Sequence, residues 1–276
     1  MIMMPPVPKK SLGQNFMADP AMLVKMAESA NLTPDSAVLE IGAGMGALTA
    51  ELALRARRVV ATEIDDRFMP HLRHQFADRH NVHLVLGDIL TLDLTHLMGE
   101  DAPNYTVCAN LPYYITSAIL RHLLENLSPP RLIVVTVQLE VARRIIATPD
   151  DMSLLAVSVQ FYGRPEILRR LKPGVFTPRP EVESAIIRIT PHPQGALLPP
   201  VEWIRFFRLA RAGFSQPRKQ IKNSLSAGLA TDQQDVLNLL ERAGIDPMRR
   251  AETLSLQEWV ALHGAFTLHS NGSNGK

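Results

Sequence analysis

Val38-Leu39-Glu40-Ile41-Gly42-Ala43-Gly44-Met45-Gly46 is the stretch on which the fold turns. It opens as a short apolar run of strand length that carries one acid. Three glycines then fall on alternate positions, and Ala47-Leu48-Thr49-Ala50-Glu51-Leu52 reads as a helix. Glycine is needed where backbone must turn tightly and let a ligand come close, because a Cβ would clash. A strand, a glycine turn and a helix in that order make a nucleotide pocket at the carboxyl end of the first strand of an α/β sheet. The spacing here is G-x-G-x-G, with an acid two residues before the first glycine, whereas the dinucleotide fingerprint is G-x-G-x-x-G. Alone, the motif leaves open a turn that merely joins a strand to a helix. The neighbouring segments decide.

Downstream, strand-like Val59-Val60-Ala61-Thr62-Glu63 is followed by a helix from Arg67. Val82-His83-Leu84-Val85-Leu86 is a third strand and ends at Gly87-Asp88. Tyr105-Thr106-Val107-Cys108-Ala109 is a fourth and ends at Asn110. Leu132-Ile133-Val134-Val135-Thr136-Val137 is a fifth, with a helix over residues 141–146. Two late strands over 167–171 and 185–189 are joined through Phe176-Thr177-Pro178-Arg179-Pro180. Strands alternating with helices predict an α/β fold with a parallel sheet covered on both faces. The first four strands close on Glu40, Glu63, Asp88 and Asn110, and ligands of open α/β sheets bind beyond those ends. Upstream, Lys9-Lys10-Ser11-Leu12-Gly13-Gln14-Asn15-Phe16 is polar and basic, an arm or loop. Asp19-Pro20 then caps a helix running to about Ala30.

With 276 residues the chain has room for one large domain and one small one. Cys108 is the single cysteine, so no internal disulfide framework is expected and a reducing compartment fits. The N-terminal residues lack the apolar core of a signal peptide, and no apolar run approaches a membrane span. A cytoplasmic protein without membrane contact is expected. A proline-rich linker over 191–200 separates a domain over 1–190 from a small all-helical one over 201–268, and the polar tail over 269–276 reads as disordered. In the helical part Trp203, Phe207, Ala210 and Phe214 share a face, with Arg205, Arg208 and Arg211 away from it. Pro217 suits the first position of another helix, and Ser255-Leu256-Gln257-Glu258 is a capping box for the last. The formal charge is only +2, but Arg205, Arg208, Arg211, Arg218, Lys219 and Lys222 stand with no acid among them. Such clustering is the footprint of a phosphate-backbone partner. No metal is expected.

The glycine stretch with its leading acid looks like the first motif of the S-adenosylmethionine (SAM) methyltransferases. Glu63 lies about twenty residues beyond the first glycine, where an acid accepts the ribose hydroxyls of a bound nucleoside. Asp88 can accept from an adenine amine. Asn110-Leu111-Pro112-Tyr113 carries the chemistry. An exocyclic amine on a purine is barely nucleophilic, because its lone pair is delocalised into the ring. Two acceptors aimed at its protons let the nitrogen pyramidalise, and an Asn side-chain oxygen and the Leu111 carbonyl can serve. Pro112 fixes the backbone between them, and Tyr113 offers a ring face for stacking. Acceptors that strengthen as positive charge grows on nitrogen stabilise the transition state selectively.

The sequence resembles the ribosomal RNA adenine dimethyltransferases, most closely the bacterial small-subunit kind. The resemblance rests on Lys10 to Phe16, Glu40 to Gly46, Glu63, Gly87-Asp88, Asn110 to Tyr113 and Phe176-Thr177-Pro178-Arg179-Pro180-Glu181-Val182, and spans nearly the whole chain. It implies a Rossmann-like methyltransferase sheet with helices on both faces plus a small helical domain. It implies that Asn15, Met17, Gly42, Glu63, Asp88 and Asn110 contact SAM, and that Tyr113 and Phe176 sandwich the target adenine. This chain has Met17 where Leu is common, and Pro217 where an arginine is common. The implied substrate is a pair of adjacent adenosines in the 3′-terminal hairpin loop of small-subunit rRNA, each methylated twice on N6 within the immature 30S subunit, and a monomer is expected. A paired adenine cannot enter such a pocket, so the base must come from a loop or be flipped out. Three other readings stay open: a large-subunit adenine methyltransferase of the antibiotic-resistance kind, a mainly non-catalytic assembly factor, and a nicotinamide oxidoreductase, against which the glycine spacing speaks.

Overall fold

A computed structural model describes residues 6–9 and 13–273. The chain splits into two compact units: Met1–Ala142 with Arg164–Pro191, and Arg143–Gly163 with His192–Lys276. Among the described residues the first holds nine strands: β1 (Phe16–Met17), β2 (Ala37–Ile41), β3 (Arg58–Glu63), β4 (Val82–Leu86), β5 (Tyr105–Asn110), β6 (Leu132–Gln138), β7 (Gly163–Leu171), β8 (Phe176–Thr177) and β9 (Ser184–Pro191). Seven form one sheet in the order β4-β3-β2-β5-β6-β9-β7. β4, β3, β2, β5 and β6 run parallel, while β9 is antiparallel to β6.

The helices of this unit are α1 (Pro20–Ser29), α2 (Ala47–Ala53), α3 (Met69–Gln75), α4 (Leu94–Met98), α5 (Thr116–Leu124) and most of α6 (Leu139–Ile145). Asp19 caps α1, its Oδ1 accepting from the amides of Ala21 at 2.9 Å and Met22 at 3.3 Å. Every residue of β2 is buried, as a strand covered on both faces requires. Val38, Val59 and Cys108 of the sheet pack with Met26, Leu52 and Leu72 of the helices in one apolar cluster. Fully burying one such aliphatic side chain stabilises the fold by about 1.5–3 kcal/mol. From β2 the chain moves out through β3 to β4 and then returns to β5 on the other side of β2, so the strand order reverses there and a crevice opens at the carboxyl end of β2.

The arm is more ordered than its composition suggests. Phe16 and Met17 pair antiparallel with Thr177 and Phe176, and Ala18 N–H reaches the Val175 carbonyl at 2.8 Å. Lys10, Ser11 and Leu12 lie outside the described residues, as do Met1–Pro5 and 274–276.

The second unit contains α7 (Leu154–Gln160), α8 (Pro200–Gly213), α9 (Ile221–Leu229), α10 (Gln233–Arg242) and α11 (Leu256–Ser273). Residues 143–163, assigned by the sequence reading to the first domain, group with these helices. The reason is aromatic: Phe161 stacks on Phe206 at 4.5 Å between centroids, and Tyr162 meets Trp203 edge-on at 5.1 Å. Ser153 caps α7 through its Oγ, which accepts from Ala156 N–H at 3.2 Å. Phe206, Phe207, Leu209 and Ala210 form the buried face of α8, while Arg205, Arg208 and Arg211 are exposed.

Two local expectations need correction. Pro217 does not begin a helix; it is the second residue of a turn closed by Lys219 N–H on the Gln216 carbonyl at 2.9 Å. Proline's fixed φ serves that position as well as a first helical turn, and α9 starts only at Ile221. The tail from 269 also reads differently, since α11 continues to Ser273. Once nucleated by its capping box, a helix adds one hydrogen bond per residue fixed. That box is formed: Ser255 N–H donates to Glu258 Oε2 at 2.7 Å and Glu258 N–H to Ser255 Oγ at 3.2 Å.

Candidate active site

The crevice at the carboxyl ends of β2, β3 and β5 is a cleft of about 760 Å³. Gly42, Glu63, Asp88, Asn110, Leu111, Pro112 and Tyr113 line it, together with Gly13, Gln14, Asn15 and Phe16 of the arm. Gly42 has φ +77°, and nothing stands within 4 Å of where its Cβ would be. Backbone there faces open space that a side chain would fill, and only glycine adopts that φ without strain.

Glu63, the last residue of β3, is buried. Its Oε2 accepts from Gly44 N–H at 2.7 Å, and its Oε1 from Ile64 N–H at 2.9 Å and Asp65 N–H at 2.8 Å. Burial raises its carboxyl above the ordinary range, and the three amides work against that rise. The acid therefore ties the glycine turn to its own loop and still has acceptor capacity for a ligand hydroxyl. Asp88 is half-buried and lines the cleft. Its Oδ1 accepts from Leu90 N–H at 3.0 Å, so it closes its turn with one oxygen and keeps the other.

Asn110 ends β5. Its Nδ2 donates to the Asn15 carbonyl at 2.8 Å. A carbonyl can only accept, so this bond settles the orientation of the carboxamide and leaves Oδ1 as an acceptor. Pro112 has φ −61° and ψ 129° and starts a tight turn into α5. Thr116 Oγ1 caps that turn on the Pro112 carbonyl at 3.1 Å. The Tyr113 hydroxyl lies 2.6 Å from Ser184 Oγ, which pins the ring from β9. Burial raises the Tyr113 phenol above its usual range, the Ser184 bond opposing. Tyr114 is exposed beside it at the mouth of the cleft.

Two expected site residues lie elsewhere. Phe176 is 3 % exposed and belongs to the apolar cluster, not to the cleft lining. It pairs with Met17 across the two-stranded ribbon, and both side chains are buried. Met17 lines a smaller neighbouring cavity of about 380 Å³, which shares Phe16, Gly42 and Asn110 with the cleft. Glu40 also lines that cavity. It is 1 % exposed with Oε2 unpartnered, and burial pushes its carboxyl up to about 8, the charge of Glu63 adding to the rise.

In the sequence Gln14 has a place in the arm motif but no site role, and Asp65 has neither. Gln14 Nε2 donates to Asp65 Oδ2 at 3.1 Å, joining the arm to the turn after β3. The available signal was the run Glu63-Ile64-Asp65-Asp66-Arg67, acids following a strand end with an arginine at hand. In the second unit Arg205, Arg208, Arg211, Arg218 and Lys219 are all exposed. Lys222 is half-buried, with Nζ 3.3 Å from Met248 Sδ. Among the described residues no group of His, Cys, Asp and Glu could hold a metal, and no helix is long and apolar enough to cross a membrane.

The cleft fits a nucleoside cofactor such as SAM: open space over the Gly42 backbone, a carboxylate for ribose and a second acid for an amine all line it. Comparison with known proteins points the same way. Residues 8–262 match the family described as ribosomal RNA adenine dimethylase. The chain is 45% identical over 259 residues to the ribosomal RNA small subunit methyltransferase A of Dehalococcoides mccartyi, covering 94% of this chain and 88% of the relative. It is 42% identical over 270 residues to the protein of that description from Pelotomaculum thermopropionicum, covering 94% and 91%. Among solved structures it is similar to the 23S rRNA methyltransferase ErmE, with a TM-score of 0.72, 29% identity and coverage of 92% and 100%. A dimethyladenosine transferase from Plasmodium falciparum shares the fold, with a TM-score of 0.79, 22% identity and coverage of 92% and 98%.

Proposed function

Since this chain belongs to the ribosomal RNA adenine dimethylase family, we propose that it is an enzyme carrying out SAM-dependent methylation of adenine in small-subunit rRNA. The finer reading is two methyl transfers to N6 of each of two adjacent adenosines in the 3′-terminal hairpin loop. The immature 30S subunit is the substrate particle in this reading, and the enzyme acts as a cytoplasmic monomer. The observation that carries it is the Asn110 carboxamide, whose nitrogen is committed to the Asn15 carbonyl and whose oxygen is left for an incoming amine.

SAM supplies an activated methyl on a sulfonium, so no general base need activate the donor. The work left to the protein is positioning and charge stabilisation. Asn110 Oδ1 and the Leu111 carbonyl accept the two amine protons and hold N6 pyramidal. As positive charge develops on nitrogen both bonds strengthen, which lowers the barrier without tightening the ground state. Tyr113, held by Ser184, stacks on the base. Glu63 would accept the ribose hydroxyls and Asp88 the amine of the cofactor adenine, with the Gly42 backbone against the cofactor. Asn15, which lines the cleft, and Met17, which lines the smaller cavity, would also contact it. The amine proton leaves to water after transfer. Arg205, Arg208, Arg211, Arg218, Lys219 and Lys222 contact RNA phosphates, and the same surface lets the protein take part in small-subunit maturation.

The small-subunit reading is preferred to the large-subunit one because the small-subunit relatives stand at 45% and 42% identity, against 29% for the 23S enzyme. The test is to incubate small and large subunits from cells lacking dimethyladenosine with the protein and labelled SAM, followed by mass spectrometry of the rRNA. Two dimethylated adenosines in the 3′-terminal hairpin of the small subunit are expected. Label on large-subunit adenine, or none on adenine, would overturn the reading.

A further inference from the structure

Asp65 follows the cofactor acid Glu63 by two residues, and only 1% of its side chain is exposed. A buried carboxylate needs partners, and this one has them on both oxygens. Oδ1 accepts from Arg67 Nε at 2.8 Å and from Arg67 N–H at 3.3 Å; Oδ2 accepts from Arg67 Nη2 at 2.6 Å. Those bonds cap the turn over Asp66–Phe68. One further bond has no part in that cap: Gln14 Nε2 donates to Oδ2 at 3.1 Å.

The Arg67 guanidinium holds the Asp65 carboxyl well below the usual carboxylate range, so Asp65 is ionised and acts as an acceptor alone. It therefore selects the nitrogen of the Gln14 amide and turns Oε1 the other way, where it accepts from Lys9 N–H at 2.6 Å. Phe16 packs edge-on against Phe68 of the same turn, at 5.5 Å between centroids. Between these two attachments stands Asn15, whose carbonyl receives Asn110 Nδ2 at 2.8 Å. A carboxamide can rotate by half a turn at little steric cost. Rotated, Asn110 would present two N–H donors to an amine that itself carries protons, and the reaction would lose an acceptor.

We propose that Asp65 is a positioning residue for methyl transfer: seated on Arg67, it holds Gln14 so that the Asn15 carbonyl keeps the Asn110 oxygen toward the substrate amine. This rests on the role given to Asn110 above. The relay consists of two acceptor-only groups, the Asp65 carboxylate and the Asn15 carbonyl, each choosing the nitrogen of one amide.

The experiment is steady-state methylation of small subunits, with SAM affinity measured by calorimetry, on Gln14→Ala, Asp65→Asn, the double variant, Asn110→Ala, and Asn110→Asp with and without Gln14→Ala. Gln14→Ala leaves the Asp65 to Arg67 cap intact, so it tests the relay without unmaking the turn. A loss of kcat on the order of tenfold to a hundredfold is expected, with SAM affinity changed by less than about threefold, within the scatter ordinary for a single contact. Asp65→Asn should lower kcat similarly, and the double variant no further. A carboxylate at position 110 accepts on both oxygens, so Gln14→Ala should have no additional effect in the Asn110→Asp enzyme. Unchanged kcat in Gln14→Ala, additive losses, an undiminished Gln14→Ala effect in the Asn110→Asp background, or a loss confined to SAM affinity would each overturn the relay. Failure of the underlying reading shows separately, as normal turnover by Asn110→Ala.

Discussion

The polar groups at the carboxyl ends of β2, β3 and β5 are buried or half-buried, and Glu63 and Asn110 are tied to nearby backbone, whereas the cations of α8 and the turn after it stand in water. Glu63 takes three backbone amides and Asn110 takes the Asn15 carbonyl; Arg205, Arg208 and Arg211 lie exposed on one helix face. A ligand in the first region meets groups already desolvated and aimed, so single atoms decide its fate. A ligand on the second meets screened, flexible charges whose contributions are small and add up. Substitutions in the two regions should therefore differ in size, and also in which constant they move.

Glu40 is the extreme of the first region, a buried acid with an unpartnered oxygen. Its carboxyl sits at about 8, against 4.5 ordinarily. The native state thus holds that proton more tightly than the unfolded chain does. The resulting stability is fully present below about pH 4.5 and is lost as pH rises through about 8. Between pH 5 and pH 8 this one group should remove roughly 3 kcal/mol of folding stability. Glu40→Gln stays neutral and should show a correspondingly flatter profile in urea unfolding at the two pH values. Equal pH dependence in both proteins would mean that the carboxyl is solvated or paired in solution.

Asn110→Ala comes next. Removing one preorganised acceptor of a developing charge typically costs about a hundredfold to a thousandfold in kcat. Cofactor binding, which involves the whole cleft, should change by only about tenfold or less, the worth of about one hydrogen bond. Rapid-quench methylation alongside SAM titration separates the two, and a variant with normal turnover would break the assignment of chemistry to this residue. Glu63→Gln should give the opposite split. A charge-assisted bond is worth about 1.5–3 kcal/mol, so SAM affinity should fall by about tenfold or more, while kcat at saturating SAM falls much less. An unchanged dissociation constant would remove Glu63 from the ribose site.

Most of the fold was legible because strands and helices alternate with sharp boundaries. Val82–Leu86 was read residue for residue, and Asn110 was recognisable as a polar side chain ending a buried strand. Contacts between distant segments were not. Phe176 looks like an available aromatic until its pairing with Met17, far away in the chain, shows it buried. Gln14 and Asp65 are 51 residues apart, and no local periodicity joins them. Pro217 failed for a different reason, since proline's fixed φ suits a helix start and a turn equally. Residues 143–163 went to the wrong unit because aromatic docking at Phe161 and Tyr162 outweighs chain proximity.

The basic face should yield the smallest effects per residue. For every phosphate left without its cation, the salt dependence of RNA affinity becomes shallower by about 0.7 to 0.9 in the log–log slope. Replacing Arg205, Arg208 and Arg211 together with alanine should then flatten that slope by about 2 to 3. The weakening should be uniform across RNA sequences, because a cation on a phosphate reads no base. SAM affinity and kcat at saturating substrate should stay near those of the parent, since charges on an exposed helix face have no part in holding the amine. Lys222, half-buried with its ammonium near Met248, should contribute least of the six cations. Filter binding across a salt series reads the slope directly. A slope unchanged by the triple substitution would take α8 out of the RNA interface, and a collapse of kcat at saturating RNA would erase the distinction between aimed and additive groups from which these expectations start.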